Sequence, residues 1–257
     1  QVVVFDTAFH QTMPPKAYMF GLPYEDYEKL HVRKYGFHGT SHRFVSAALA
    51  EAMGKDIKDL KIISCHLGNG SSITAVNGGK SVDTSMGFTP LDGVVMGTRT
   101  GSVDPSAVTF VADKHGFTPS EMSEYMNKKS GFLGVSGVGS DNRDIQEAAL
   151  NGNKKAELVS DMLTYEIQKY IGSYTAAMNG VDAILFTGGI GENSWEVREA
   201  ACENMDYFGI KIDKALNKSI RGKLQKISTP DSKIEVWIVP TNEELLIARD
   251  TLALISK

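Results

Sequence analysis

The chain reads as an α/β protein, a mixed sheet flanked by helices, and three observations point there. Apolar, strand-type runs end on glycine turns twice: Lys61–Cys65 runs into His66-Leu67-Gly68-Asn69-Gly70, and Ala183–Phe186 into Thr187-Gly188-Gly189-Ile190-Gly191. Three extended segments follow one another between residues 61 and 86, separated by glycines. After them, helical patterns alternate with single strands. The composition suits this class: 257 residues, 42% hydrophobic and 23% charged, make one large domain or two small ones.

In chain order, Gln1–Phe5 has the Val-rich character of a buried strand and ends at Asp6. A domain seldom opens in mid-strand, and residue 1 is Gln, so more chain is expected upstream. Residues 7–23 are irregular, punctuated by Pro14-Pro15 and Gly21, and Tyr24–Leu30 makes a short helix. A helix over Ser41–Met53 stops at Gly54. The three-strand unit follows, then a glycine-rich loop, Gly87–Ser102, that contains Arg99. Asp104-Pro105 opens a helix with an N-cap and a proline at its first position. Helices fill Pro119–Lys129, Asn142–Leu150 and Lys154–Met178, the last with an apolar set at Leu158, Met162, Tyr165, Ile167 and Ile171. Strand Ala183–Phe186, a helix from Asn193 to Asn204, strand Ile234–Val239 and helix Thr241–Ser256 complete the chain. A three-strand meander followed by two strand–helix units is the layout of the ribonuclease-H-like core of actin-type ATPases. Both glycine turns then lie at carboxyl ends of strands and face one cleft, where open α/β sheets bind ligands.

The formal net charge of -4 and the absence of a Lys/Arg cluster argue against a nucleic-acid partner. No run of 18 apolar residues occurs, so no transmembrane helix is expected, and no signal peptide is expected either. Cys65 and Cys202 read as buried thiols of a reducing, cytoplasmic compartment.

Several residues have chemistry to offer, each with a plain structural alternative. The His66–Gly70 turn supplies unobstructed backbone N–H groups for a phosphate, or is an ordinary glycine hairpin. Gly188–Asn193 opens a helix whose N-terminus suits an anion, or is a common strand–helix turn. Arg99 has the planar fork that clamps phosphoryl oxygens, or is a surface loop arginine. His38 and His42 sit four apart, but no further ligand completes a zinc site, and a lone His before a glycine can equally donate a hydrogen bond in a transition state or be structural. Asp6 can hold Mg²⁺ through water, orient a nucleophile, or start a turn. Asp141 reads as an N-cap, and Arg143 beside it can cover a ring or reach a phosphate. Thr241 and Glu244 have capping-box spacing, which leaves Glu243 as a dipole-facing acid or a metal-facing carboxylate.

Taken together, Phe5-Asp6-Thr7-Ala8-Phe9-His10, Gly36-Phe37-His38-Gly39-Thr40-Ser41-His42, His66-Leu67-Gly68-Asn69-Gly70, Gly97-Thr98-Arg99-Thr100-Gly101, Phe186–Asn193 and Thr241-Asn242-Glu243-Glu244 resemble, in order, the motifs of the acetate/propionate kinase family. The resemblance covers the whole chain. It implies the acetate and sugar kinase branch of the actin-type fold and Mg²⁺-dependent phosphoryl transfer between ATP and acetate, giving acetyl phosphate and ADP. It implies catalytic roles for Asp6, His38 and Arg99. It implies a nucleotide site at His66, Leu67, Gly68, Asn69 and Gly70, at Asp141, Asn142 and Arg143, and at Gly189, Ile190, Gly191, Glu192 and Asn193. Phe37 and Pro90 fall at the acetate methyl pocket, and Glu243 at the metal, Mg²⁺ or Mn²⁺. A cytoplasmic homodimer, paired through the C-terminal domain, is implied as well.

The family carries an N-terminal domain, with an Asn/Ser phosphate-facing segment and a substrate-binding arginine, that this sequence does not contain. Residues 1–9 then read as a remnant strand of that domain, 10–240 as the nucleotide-binding domain, and 241–257 as a helix returning to the first. On that last helix Leu245, Ala248, Leu252 and Ile255 form one apolar stripe. The 257-residue chain alone is expected to bind nucleotide weakly and transfer phosphate poorly. Two other readings are a kinase for propionate or butyrate and a non-catalytic nucleotide-binding module. The second has no need of Asp6, His38, Arg99 and Glu243 all at once.

Overall fold

The computed structural model describes residues 1–256. A 3-10 turn, Ala8–Thr12, precedes α1 (Pro15–Tyr18), α2 (Tyr24–Leu30) and α3 (Gly39–Met53). The strands β1 (Lys61–Leu67), β2 (Ser71–Asn77) and β3 (Lys80–Thr84) follow. Next come α4 (Pro105–His115), α5 (Pro119–Lys128), α6 (Gly131–Ser136), α7 (Asn142–Leu150) and α8 (Lys154–Met178). β4 (Ala183–Thr187) leads through α9 (Gly188–Asn193), α10 (Trp195–Cys202) and α11 (Lys214–Ser219) to β5 (Gln225–Lys226), β6 (Glu235–Ile238) and α12 (Glu243–Ile255).

The sheet order is β3-β2-β1-β4-β6-β5. β1, β2 and β3 pair antiparallel, and β1, β4 and β6 pair parallel. This is the ribonuclease-H-like core, with helices on both faces. Because side chains alternate across a strand, β1 divides its residues cleanly. Ile63, Cys65 and Leu67 enter the core shared with α8, whereas Ile62 faces α3 with Val45 and Leu49. β4 splits the same way, Ile184 and Phe186 to one side and Ala183 and Leu185 to the other. A strand covered on both faces reads as a continuous apolar run, which is why these two were legible.

Ser64 and His66 have the same parity as Ile62, and the register Ser64↔Thr74, His66↔Ser72 places a polar patch on the α3 face of the sheet. Facing it are the N-cap residue His38 and, on α3, Ser41, His42, Val45 and Leu49, at spacings of three and four. The polar half of this interface lies at the strand ends and carries the site. No helix among the described residues is long and apolar enough to cross a membrane.

Several expectations need correction. The strand over Gln1–Phe5 is not formed: residues 1–5 pair with none of the six strands, and Val3 and Phe5 are exposed. β character without a ladder partner does not make a strand. β1 runs to Leu67, so His66 and Leu67 are strand residues paired to Ser72 and Ser71, not turn residues. Asn193 does not cap a helix to Asn204. Gly188–Asn193 is itself helical, and the Ser194 side chain caps α10 by accepting from the Val197 N–H. Thr241 forms no capping box; Asn242 accepts from Leu245 N–H, and the Thr241 hydroxyl is engaged by Ser41. On α8 the buried ridge is Val159, Leu163, Ile167 and Ile171, with Leu158 and Tyr165 exposed on the other side. A short edge strand, β5, adds to the expected strands and pairs antiparallel with β6. α12 lies against α3, with Arg43 Nη2 2.6 Å from Asp250 Oδ2, and leaves Leu252 and Ile255 exposed.

Candidate active site

His38 stands at the N-cap of α3 in the left-handed region (φ 54). Its backbone N–H donates to Asp6 Oδ2 at 2.8 Å, and Gly39 N–H donates to the Asp6 carbonyl at 2.8 Å. A Cβ on residue 39 would sit 2.3 Å from that carbonyl, so only glycine permits the approach. Nearby, His10 Nε2–H donates to the Phe37 carbonyl at 2.8 Å. The Phe37-His38-Gly39 segment is thus pinned from both sides by the 6–10 segment. The His38 ring stacks on His66 with centroids 4.3 Å apart, and His66 Nδ1 pairs with Ser41 Oγ at 2.8 Å.

Arg99 comes from the long loop between β3 and α4. A Cβ placed on Gly70 would lie 3.2 Å from Arg99 Nη1 and 3.3 Å from His38 Nε2. Gly70 carries no Cβ, so a guanidinium and an imidazole converge on one open point. Arg99 is steadied by donation from Nη1 to the Pro90 carbonyl at 3.1 Å. Pro90 therefore serves the position of Arg99, whatever else it lines. Phe37, the other expected pocket residue, is partly buried beside His38.

The loop is clamped from behind. Ser130, Phe132 and Leu133 donate their N–H groups to the carbonyls of Thr98, Met96 and Gly97 at 2.9–3.0 Å. The clamp needs Gly131 (φ 61), whose Cβ would meet the Met96 carbonyl at 2.1 Å. A Gly131→Ala variant is expected to lose about 1–3 kcal/mol from the strained φ and the overlap. It also moves Arg99, so activity falls further than stability. Urea unfolding alongside turnover measures both.

Glu243, at the start of α12, is half-buried, and burial first and the Asp6 charge second push its carboxyl above the usual range. The two carboxylates therefore feel each other. Hard oxygen donors in this number fit a partly hydrated Mg²⁺ that also takes substrate phosphates. Among the described residues no group of three or more His, Cys, Asp or Glu forms a closed metal cage. His42, the other half of the candidate zinc pair, is buried and hydrogen-bonded to Ser64 and Ser72.

Next to this centre opens a cleft of about 650 Å³. Both glycine segments line it, through Gly68 and Asn69 on one side and Gly189, Ile190 and Asn193 on the other, with Asp141, Asn142 and Arg143 of the α7 start. Five of the expected nucleotide residues are not part of this lining. Leu67 is fully buried in the core, and His66 is buried under His38. Gly70 belongs to the Arg99–His38 point. The Gly191 carbonyl accepts from Arg198. Glu192 Oε1 accepts from Gly188 N–H at 3.0 Å and Thr241 N–H at 3.2 Å, tying α9 to the approach to α12. In turn the cleft adds Gln146, Ser194, Glu196 and Arg221, which carry no motif in the sequence. Arg143 is forked onto Asp141, Nη2–Oδ2 2.6 Å and Nε–Oδ1 3.0 Å, which holds the Asp141 carboxyl down to about 2.

Residues 1–249 match the model of the Acetokinase family. The chain belongs to that family. It is 58% identical to acetate kinase 2 of Clostridium perfringens over its whole length, but covers 64% of that protein. It is 60% identical to an acetate kinase of Methanosarcina thermophila over 97% of the chain and 61% of the relative. Among solved structures, the Porphyromonas gingivalis acetate kinase superimposes with a TM-score of 0.96 at 51% identity, covering 98% of this chain and 63% of that one. A propionate kinase from Francisella tularensis gives 0.90 at 42% identity, covering 96% and 62%. The chain thus spans just under two thirds of the length of these relatives.

This acetokinase-family site is rich in buried imidazoles, with a consequence for stability. Burial lowers His10 to about 4 and His66 to about 3. The unfolded chain takes up those protons near the ordinary histidine value, and the folded chain does so only at lower pH. Stability from these groups is therefore expected to be full well above pH 6.5 and to fall on acidification through that value toward pH 3. At pH 5 these two groups together remove about 4 kcal/mol. Urea midpoints at pH 7.5 and 5 measure this loss. Carboxylates held near 2, such as Asp141, act only at the acid end of that window and below.

Proposed function

We propose that this chain forms the nucleotide-binding half, and most of the phosphoryl-transfer centre, of an enzyme that moves a phosphoryl group between ATP and acetate, giving acetyl phosphate and ADP. The observation that carries the reading is the convergence of Arg99 Nη1 and His38 Nε2 over Gly70, at the edge of the cleft. Nucleotide phosphate and carboxylate are both anions, so a transfer site must cancel charge before they meet. Phosphoryl transfer asks chiefly for positioning and for donors aimed at the moving oxygens. Arg99 supplies a permanent fork, and His38 a weakly basic ring, since burial lowers its basicity most, the Asp6 charge offsets part of that, and Arg99 lowers it again. Asp6 and Glu243 would hold Mg²⁺, which neutralises phosphate charge when bound. Gly68, Asn69, Gly189 and Ile190 offer backbone to the nucleotide.

The Francisella tularensis similarity favours a second reading on the same chemistry, with propionate as acceptor. A pocket separates acids differing by one methylene by only about 1–3 kcal/mol. The two buried, unpaired thiols support a cytoplasmic setting. Exposed Leu158 and Tyr165, one above the other on α8, support a face covered by a second copy. The test is carboxylate-dependent ADP formation by the complete protein, run with acetate, propionate and butyrate. Acetate is expected to give the largest kcat/KM; ADP formation indifferent to all three acids would refute the transfer reading.

A further inference from the structure

Ser72 Oγ sits between two imidazoles, 2.9 Å from His38 Nδ1 and 2.7 Å from His42 Nε2. The remaining nitrogen of His42, Nδ1, lies 2.8 Å from Ser64 Oγ. These four side chains make one unbranched chain, Ser64–His42–Ser72–His38. Its inner end is a strand hydroxyl, and its outer end is His38 Nε2 at the open point over Gly70. Ser64, His42 and Ser72 are fully buried, so water does not complete their hydrogen bonding.

A neutral imidazole has one N–H and one acceptor nitrogen, and a hydroxyl has one proton. The chain can therefore run in either of two directions, or Ser72 Oγ accepts from both rings and its own proton is left without an acceptor, at the cost of an unpaired buried donor. In the first, Ser64 O–H donates to His42 Nδ1, His42 Nε2–H donates to Ser72 Oγ, and Ser72 O–H donates to His38 Nδ1. The His38 proton then stands on Nε2. In the second, every donor reverses, His38 Nε2 is bare, and the Ser64 proton needs an acceptor of its own. Ser64 Oγ makes no other hydrogen bond among the described residues. A buried hydroxyl proton without an acceptor is costly, whereas the first direction leaves no donor in the chain unpaired. Burial also keeps His42 far too weakly basic to carry a second proton.

We infer that Ser64 and His42, acting through Ser72, are positioning residues that keep the His38 proton on Nε2 and so make His38 a hydrogen-bond donor toward the anion at the transfer centre. The inference rests on the reading of that centre as the place where phosphoryl oxygens are held. An Nε2 lone pair there would repel them.

The test reads the tautomer without any turnover. Ring ¹⁵N shifts of the histidine-labelled chain are recorded at pH 7.5, with His38 assigned by the loss of its signals in His38→Gln. Nε2 is expected to carry the protonated-type shift and Nδ1 the acceptor-type shift, in a ratio of at least about tenfold, or about 1.4 kcal/mol. In Ser64→Ala neither direction satisfies His42 Nδ1, so His38 becomes a mixture of tautomers. Ser64→Thr, which keeps the hydroxyl, restores the single form. A proton on Nδ1 in the parent chain overturns the inference, whether or not any variant folds. An undisturbed Nε2–H form in Ser64→Ala overturns the role of Ser64. If the tautomers behave as expected but the complete protein transfers no phosphoryl group, the functional reading fails and the hydrogen-bond chain stands.

Discussion

Replacing Arg99 by alanine is expected to lower phosphoryl transfer by ~10³-fold or more, the scale set by arginines aimed at a transferring group. Nucleotide affinity should change by no more than about threefold, because an interaction made only in the transition state lowers kcat and leaves binding alone. The structure separates the two roles. Arg99 faces Gly70 beside His38, whereas the cleft is lined by Asn69, Asn142, Arg143, Gly189 and their neighbours. Arg99→Lys retains the charge but loses the planar fork and its reach to the Pro90 carbonyl, so it should recover only a small part of the rate. Turnover and ADP titrations on the three proteins decide the matter. Parallel losses in both quantities would make Arg99 a binding residue instead.

The largest effect on stability is expected at Arg198. This side chain is fully buried and its four hydrogen bonds all go to neutral oxygens: Nε to Asn217 Oδ1 at 2.7 Å, Nη1 to the Gly191 carbonyl at 2.9 Å, and Nη2 to the carbonyls of Asn217 and Ile220 at 3.0 and 3.2 Å. Burial lowers the guanidinium to about 10, so it remains charged at neutral pH. Alanine would leave a void and several buried acceptors unpaired, a cost of about 3–5 kcal/mol. The damage reaches the cleft, because Gly191 lies in the same short helix as Gly189, Ile190 and Asn193. Urea unfolding should register the loss, with weakened ADP binding in whatever folds. A change under about 1 kcal/mol would mean that α9 is held by Glu192 alone.

Much of the fold was legible because its signals are local. β1 and β4 are apolar runs, Asp104 and Asp141 accept from N–H groups at helix starts as caps do, and Gly54 stops α3 in the left-handed region. What could not be read depends on distant partners. GGIGEN has three glycines and poor intrinsic helicity, and it is helical because Glu192 reaches Gly188 and Arg198 reaches Gly191. Arg198 itself looks like a surface residue of an amphipathic helix. The Thr241–Glu244 spacing is right for a capping box, but Ser41, 200 residues away, engages that hydroxyl. In the site, glycine turns identified both walls of the cleft. Those turns gave no hint that His66 and Leu67 support the surface from below, or that Gln146 and Arg221 complete it. Ser64 left only a faint trace, a polar residue sharing one strand face with Ile62 and His66.

In the proposed function, Arg99 and His38 form a centre that moves a phosphoryl group onto a carboxylate. The most direct measurement is the product itself: acyl phosphate formed from ATP, Mg²⁺ and acetate by the complete protein, trapped with hydroxylamine. The expected result is acetohydroxamate that requires all three reactants and vanishes with Arg99→Ala. ATP binding in the cleft with no hydroxamate from acetate or propionate would contradict the account and leave a nucleotide-binding module.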